Sequence, residues 1–198
     1  MKAMLKDAAI LFAITVVAGI LLGAVYGITK EPIEYQAELA VTNACREVFA
    51  EASEFDYTED FEYEDSEYIT YDEFPGVEVQ DCMNAYNENG DHLGYIIQMN
   101  SKQGYGGDIT LIMGVQDDGT LNGVSILSIS ETAGLGMEAP EVLVPQFAGK
   151  KVTSFLYTKN GAVEENEIDA ISGATITTNA VVNAVNVGMY YFYNGIGR

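Results

Sequence analysis

Residues 8–28, AAILFAITVVAGILLGAVYGI, contain no charged side chain. As a helix rising about 1.5 Å per residue they span ~31 Å, the thickness of a bilayer's hydrocarbon core. Lipid offers an exposed backbone no hydrogen-bond partners, so a lone segment of this kind spans as a helix. The competing form is a cleaved signal peptide, with a shorter apolar region and a small-x-small cleavage site. Here Tyr26 and Ile28 stand where small residues are wanted, and no cysteine follows for lipid attachment. The segment favours an uncleaved anchor. Lys2 and Lys6 precede it, whereas beyond Lys30 the chain turns acidic with Glu31 and Glu34. The positive-inside rule then puts the N-terminus in the cytoplasm and the rest of the chain outside. Gly19, Gly23 and Gly27 recur every four residues, a small-residue stripe along which another membrane helix can approach.

The chain has 198 residues and a net charge of −21, with 30 acidic side chains against 9 basic ones. That excess repels phosphate backbones and anionic lipid surfaces, so it excludes nucleic-acid binding and basic-patch membrane binding. It does not signal disorder, because 48% of the residues are hydrophobic and 13 are tyrosines. The two cysteines, Cys45 and Cys82, and the single His92 form no CxxC pair, His/Cys cluster or HExxH. Metal ligation and triad chemistry therefore lack their residues. Buried thiols are favoured over a disulfide for the cysteines, and an edge or surface position for His92.

Beyond the anchor, Ile33–Ala52 has helical spacing of Leu39, Ala40, Ala44 and Val48, and predicts a helix resuming after a break at Pro32. The next stretch, EFDYTEDFEYEDSEYITYDEFPG, reads as a solvated, partly extended surface segment. From Val77 the pattern becomes strands: EVQDCMNAYN, HLGYIIQMN, DITLIMGVQ and LNGVSILSIS, with a hairpin signal at Asp118-Gly119. ETAGLGMEAPEVLVPQFAGK predicts a loop and a short helix, KVTSFLY a strand, and residues 177–193 a closing helix. These elements predict an α+β fold: one N-terminal transmembrane helix, then an extracytoplasmic domain with a mainly antiparallel sheet and flanking helices.

DAISGATITT, Asp169 to Thr178, directly precedes that closing helix. A Gly-containing turn at a helix start exposes unpaired N–H groups and the positive end of the helix dipole, a ready site for phosphate. By physics alone Ser172, Thr175, Thr177 and Thr178 read as capping hydroxyls.

The run D-x-x-S-G-A-T-x-T, Asp169 to Thr177, resembles the flavinylation motif of the FMN-binding domain family. In that family a flavin transferase uses FAD to join FMN, through its phosphate, to the hydroxyl of the final threonine. The resemblance implies Thr177 as acceptor, with Ser172, Gly173, Ala174 and Thr175 at the matching positions. GYGGDI (104–109) and ETAGLG (131–136) also resemble family segments, with Asp108 and Ala133 where familiar versions have proline. They imply further cofactor contacts from Tyr105, Gly106, Glu131, Thr132, Leu135 and Gly136. Anchor, external domain and late acceptor motif together are similar to the layout of the G subunits of Rnf ion-translocating ferredoxin:NAD oxidoreductases.

The implied domains are a cytoplasmic 1–7, a membrane helix 8–28, a stalk and acidic segment 29–76, and an FMN-binding domain 77–198. The implied function is electron transfer through covalent FMN, with no catalytic residue and no metal in this chain. The implied location is a bacterial or archaeal cytoplasmic membrane, crossed once, with the FMN domain on the outer face. Implied partners are the other integral-membrane and iron–sulfur or flavin subunits of the complex, and the flavin transferase. Two alternatives stand beside this: the related C subunit of a sodium-pumping NADH:quinone oxidoreductase, and a cofactor-free exported binding module displaying the acidic segment.

Overall fold

A computed structural model describes residues 2–58 and 68–196; the middle of the acidic stretch, residues 59–67, lies outside the described residues. The chain divides into two compact units, Met1–Val41 and Thr42–Arg198.

The first unit is helical. Helix α1 runs Lys2–Val48 without interruption, so the helix expected to break at Pro32 is continuous with the membrane segment. Proline removes one backbone donor and costs roughly 3 kcal/mol in a helix interior. A helix of 47 residues absorbs that single loss because propagation on both sides is cooperative. One turn earlier, the Thr29 hydroxyl donates to the Val25 carbonyl at 2.9 Å. Large apolar side chains from Ile10 to Ile28 are exposed, and the helix is long and apolar enough to cross a bilayer.

In the second unit five strands form an antiparallel run in the order β1(Glu54–Tyr57), β3(Val77–Tyr86), β4(His92–Ser101), β5(Ile109–Gln116), β6(Leu121–Ser128). β2(Ile69–Thr70) also pairs with β3. Thus both described ends of the acidic segment join the sheet edge. The hairpin at Asp118-Gly119 forms as expected, with Gly119 at φ 86° and the Gly119 N–H donating to the Gln116 carbonyl. One sheet face carries Cys82, Ile97, Met99, Leu111 and Met113, buried with Val181, Val185 and Met189 of α3(Thr175–Asn194). The helix lies close because Gly188 faces Met113 and Met99. The other face receives the end of α1: Gly114 meets Val48 and Phe49, and Gly123 meets Val48. Asn122 donates to the Val48 carbonyl and Ser125 to Glu47 Oε2 at 2.6 Å, so β6 finishes the helix.

Between β6 and α3 come a 3₁₀ turn (Gly136–Glu138), α2(Ala139–Val142), a second 3₁₀ turn (Val144–Gln146), and β7(Leu156–Thr158) paired in parallel with β8(Glu167–Asp169). The strand expected over KVTSFLY is confined to its end. The Phe155 N–H donates to Asn186 Oδ1 at 2.6 Å, and Asn186 Nδ2 donates to the Phe155 carbonyl at 2.9 Å. A side chain of α3 thus takes both backbone groups a strand would have used. Cys45 and Cys82 are buried thiols. Burial, with Asp81 nearby, pushes Cys45 up to about 11, and burial likewise raises Asp81 to about 6. His92 opens β4, with Nδ1 2.8 Å from Asp117 and Nε2 3.2 Å from Asn84.

Candidate functional site

Three segments converge on one cleft: the 104–107 loop between β4 and β5, residues 131–136 after β6, and the start of α3. Its volume is ≈ 550 Å³. Tyr105, Glu131, Thr132, Leu135, Gly136, Gly173, Ala174, Thr175 and Thr177 line it. Ser172 and Gly106 do not line it, although Gly106 supports the wall through its backbone. Ile176 does line it and was not singled out in the sequence. Its signal was there: an apolar side chain next to the motif threonine in a helix's first turn, 53% exposed.

The chain enters α3 from β8 through Gly173, whose φ of +79° is the left-handed conformation that favours glycine. The Ala174 N–H closes this turn onto the Ile171 carbonyl at 3.1 Å. Helix α3 then begins at Thr175, two residues earlier than expected. Ala174 therefore occupies the N-cap, and no side chain caps the helix. The capping role expected of the motif hydroxyls is not what they do. Without a side-chain cap, the first-turn N–H groups of α3 are available to an oxyanion.

Two adjacent threonines, both buried, divide sharply. The Thr178 hydroxyl accepts the Ile171 N–H at 3.2 Å and donates to the Ala174 carbonyl at 2.9 Å. It is committed to the backbone of the turn. The Thr177 hydroxyl lies in the cleft wall and donates to Glu131 Oε2 at 3.0 Å. The other oxygen of that carboxylate, Oε1, accepts the N–H groups of Tyr105 at 2.7 Å and Gly106 at 3.2 Å. Glu131 is thus the knot that joins all three segments. Gly136 makes room for it: a Cβ there would lie 2.6 Å from Thr177 Oγ1 and 2.7 Å from Glu131 Cβ. Asp169, which opens the motif, works outside the cleft, its Oδ1 accepting the Ala162 N–H at 2.6 Å.

The cleft can hold a ligand that is anionic at one end and apolar along its length. Helix N–H groups and a hydroxyl sit at one side, and exposed Leu135, Ile176 and Tyr105 supply apolar surface. Among the described residues, no lysine, arginine or histidine lines it, so a phosphate held by these residues depends on backbone donors and the helix dipole.

The FMN-binding domain family matches residues 104–189, which includes all three cleft segments, and the RnfG N-terminal region matches residues 1–48. The chain is similar to the G subunit of a Na(+)-translocating ferredoxin:NAD(+) oxidoreductase complex of Acetobacterium woodii: 32% identity, 98% of this chain and 93% of that one. It is similar to the G subunit of a proton-translocating ferredoxin:NAD(+) oxidoreductase complex of Clostridium ljungdahlii at 31% identity, covering 91% of this chain and 90% of the other. A crystal structure of Shewanella oneidensis NqrC aligns at TM-score 0.47 and 20% identity, over 57% of this chain and 55% of that one. A relative at this identity over nearly the whole length of both chains settles membership: the chain belongs to the family of G subunits of Rnf-type ion-translocating ferredoxin:NAD(+) oxidoreductase complexes.

Proposed function

We propose that this chain is the flavin-carrying electron-transfer subunit of a membrane-bound, ion-translocating ferredoxin:NAD oxidoreductase, with FMN joined by a phosphoester to Thr177. The observation that carries the attachment point is the contrast between the two threonines. Thr177 offers its hydroxyl to the cleft, whereas both hydrogen-bonding functions of Thr178 are spent on the turn.

The residues present fit the group. Uncapped N–H groups at the start of α3 suit the phosphodiester, and Leu135, Ile176 and Tyr105 suit an aromatic ring system. Bound FMN supplies one- and two-electron chemistry of its own. The protein retains, orients and shields it, which is why no acid–base set or nucleophilic triad is needed. Attachment through the phosphate leaves the ring unmodified, so its potential is set by the apolar side chains and glycine backbone around it. The FMN-binding match over residues 104–189 counts against a cofactor-free module.

The anchor extends this reading. Lys2 and Lys6 against Glu31 and Glu34 support an N-terminus inside and residues 77–198, as the FMN domain, outside. Dilution would remove a dissociable FMN there, and a covalent bond prevents it. The apolar part of α1 carries no ionisable group, so ion passage belongs to other subunits. The partners are those integral-membrane and iron–sulfur or flavin subunits, with a flavin transferase for maturation.

The test is to express the full chain with a flavin transferase, denature it and read in-gel fluorescence, then weigh the peptide spanning 172–178. A fluorescent band with flavin mass on Thr177 is expected. A dark band with an unmodified Thr177 peptide refutes the attachment.

A further inference from the structure

We infer that Glu131 accepts the proton of Thr177 as the flavin phosphate is attached; this rests on the reading of Thr177 as the acceptor. An alcohol is a weak nucleophile unless a base is in contact with its proton. Thr177 Oγ1 already points its hydrogen at Glu131 Oε2, 3.0 Å away. The two N–H groups on Oε1 fix the carboxylate plane, so Oε2 is held on the threonine rather than turned to solvent. Among the described residues lining the cleft, Glu131 is the only carboxylate, and none is a histidine or lysine. Among the described residues, the hydrogen bond to Glu131 is the one the Thr177 hydroxyl makes to an acid–base side chain.

The step balances without an oxidant. Thr177 Oγ attacks the phosphorus nearer the riboflavin in a flavin dinucleotide, and an Oγ–P bond forms. The P–O bond of the pyrophosphate bridge breaks, AMP leaves with the bridging oxygen, and the hydroxyl proton passes to Glu131 Oε2. The esterified threonine has no hydrogen left to donate to Glu131.

A purely structural tie between loop and helix would look the same at rest, so the variants separate the two roles. In Glu131→Gln the amide oxygen can still accept from Tyr105 and Gly106, while the NH₂ faces Thr177 and takes no proton. The loops stay pinned and the base is gone. The experiment uses the full chain in detergent with FAD and a flavin transferase, following covalent flavin by fluorescence and mass, and unfolding temperature in parallel. E131Q is expected to unfold like the parent and to be labelled about 100-fold more slowly or worse, the usual contribution of general base catalysis. Glu131→Ala is expected to lose labelling and regain it on adding formate, a small carboxylate that fits the vacated position. Labelling of E131Q at the parent rate, or failure of formate to restore E131A, overturns the role of Glu131 while an unlabelled T177V keeps the acceptor intact. Full labelling of T177V overturns the acceptor itself.

Discussion

Replacing each of the two adjacent threonines by valine is expected to separate stability from attachment. Valine matches threonine in shape and leaves a β-branched residue in the helix, so the hydroxyl is the main change. Thr178 is 0% exposed. Its valine variant leaves the Ile171 N–H, now bound at 3.2 Å, buried without an acceptor. An orphaned buried donor costs about 1–3 kcal/mol. The Ala174 carbonyl loses less, because the Thr178 N–H still reaches it at 3.0 Å. For a domain of this size each kcal/mol lowers Tm by about 2–4 °C, so T178V is expected to fall by roughly 2–12 °C. Thr177→Val deletes only a donor. Glu131 keeps the two N–H groups on Oε1, so the cost is about 1 kcal/mol or less. Labelling runs the other way: T177V takes no flavin, while T178V is labelled at a temperature where it is folded. Thermal unfolding of the full chain in detergent, alongside in-gel fluorescence after flavin transfer, reads both. A T177V protein less stable than T178V, or a folded T178V that cannot be labelled, would refute the assignment of the two hydroxyls.

Gly136→Ala puts a methyl 2.6 Å from Thr177 Oγ1, so the loop must retreat and misplace the threonine–glutamate pair. Labelling rate is expected to drop about 10–100-fold. Asp81 has a folded-state pKa raised to about 6 from 3.8 by burial, so its charged form opposes folding above pH 6, and stability rises as pH falls from there toward 4. Asp81→Asn is therefore expected to stabilise at pH 8 by about 1–2 kcal/mol, discounted for partial solvent exposure. The gain should vanish near pH 4 in melts across the range; a gain that grows on acidification contradicts the burial account. Gly188→Val drives a side chain into Met113 and within 2.9 Å of the position of the Met99 sulfur. An overpacking cost of about 2–3 kcal/mol is expected in urea unfolding.

The sheet was legible because its signals are local. Alternation, β-branched residues and the Asp118-Gly119 turn put β3 to β6 in place without knowledge of their partners. What was not legible depends on residues far apart in sequence. β1 and β2 come from acidic, aromatic stretches whose local chemistry reads as solvated surface, and they become strands because the edge of β3 offers unpaired backbone. Pro32 reads as a break by a local rule, yet the helix on either side is long enough to carry it. The shortening of β7 to Leu156–Thr158 was hidden for the same reason, since it follows from Asn186, 31 residues beyond Phe155. In the cleft, DAISGATITT marks where a glycine turn opens a helix. Apart from the family resemblance, the residue types do not say which hydroxyl faces the cleft, because Thr178 and Thr177 differ only in their partners, Ile171 and Ala174 for one and Glu131 for the other.

Covalent attachment, as proposed, suits the charge of the chain. A domain in a chain of net charge −21 repels a dianionic phosphate, and among the described residues the cleft has no basic side chain to offset this. The N–H groups at the start of α3 contribute at most a few tenths to ~2 kcal/mol of helix-dipole stabilisation, too little alone to retain a ligand at low concentration. The proposed esterification to Thr177 would remove one negative charge from the phosphate and convert a weak bimolecular equilibrium into a permanent local concentration. Raised ionic strength should accordingly favour non-covalent FMN binding to T177V by screening the repulsion. Spectral titration of that variant at low and high salt reads it. An affinity that falls with added salt would mean that basic groups, rather than backbone donors, hold the phosphate.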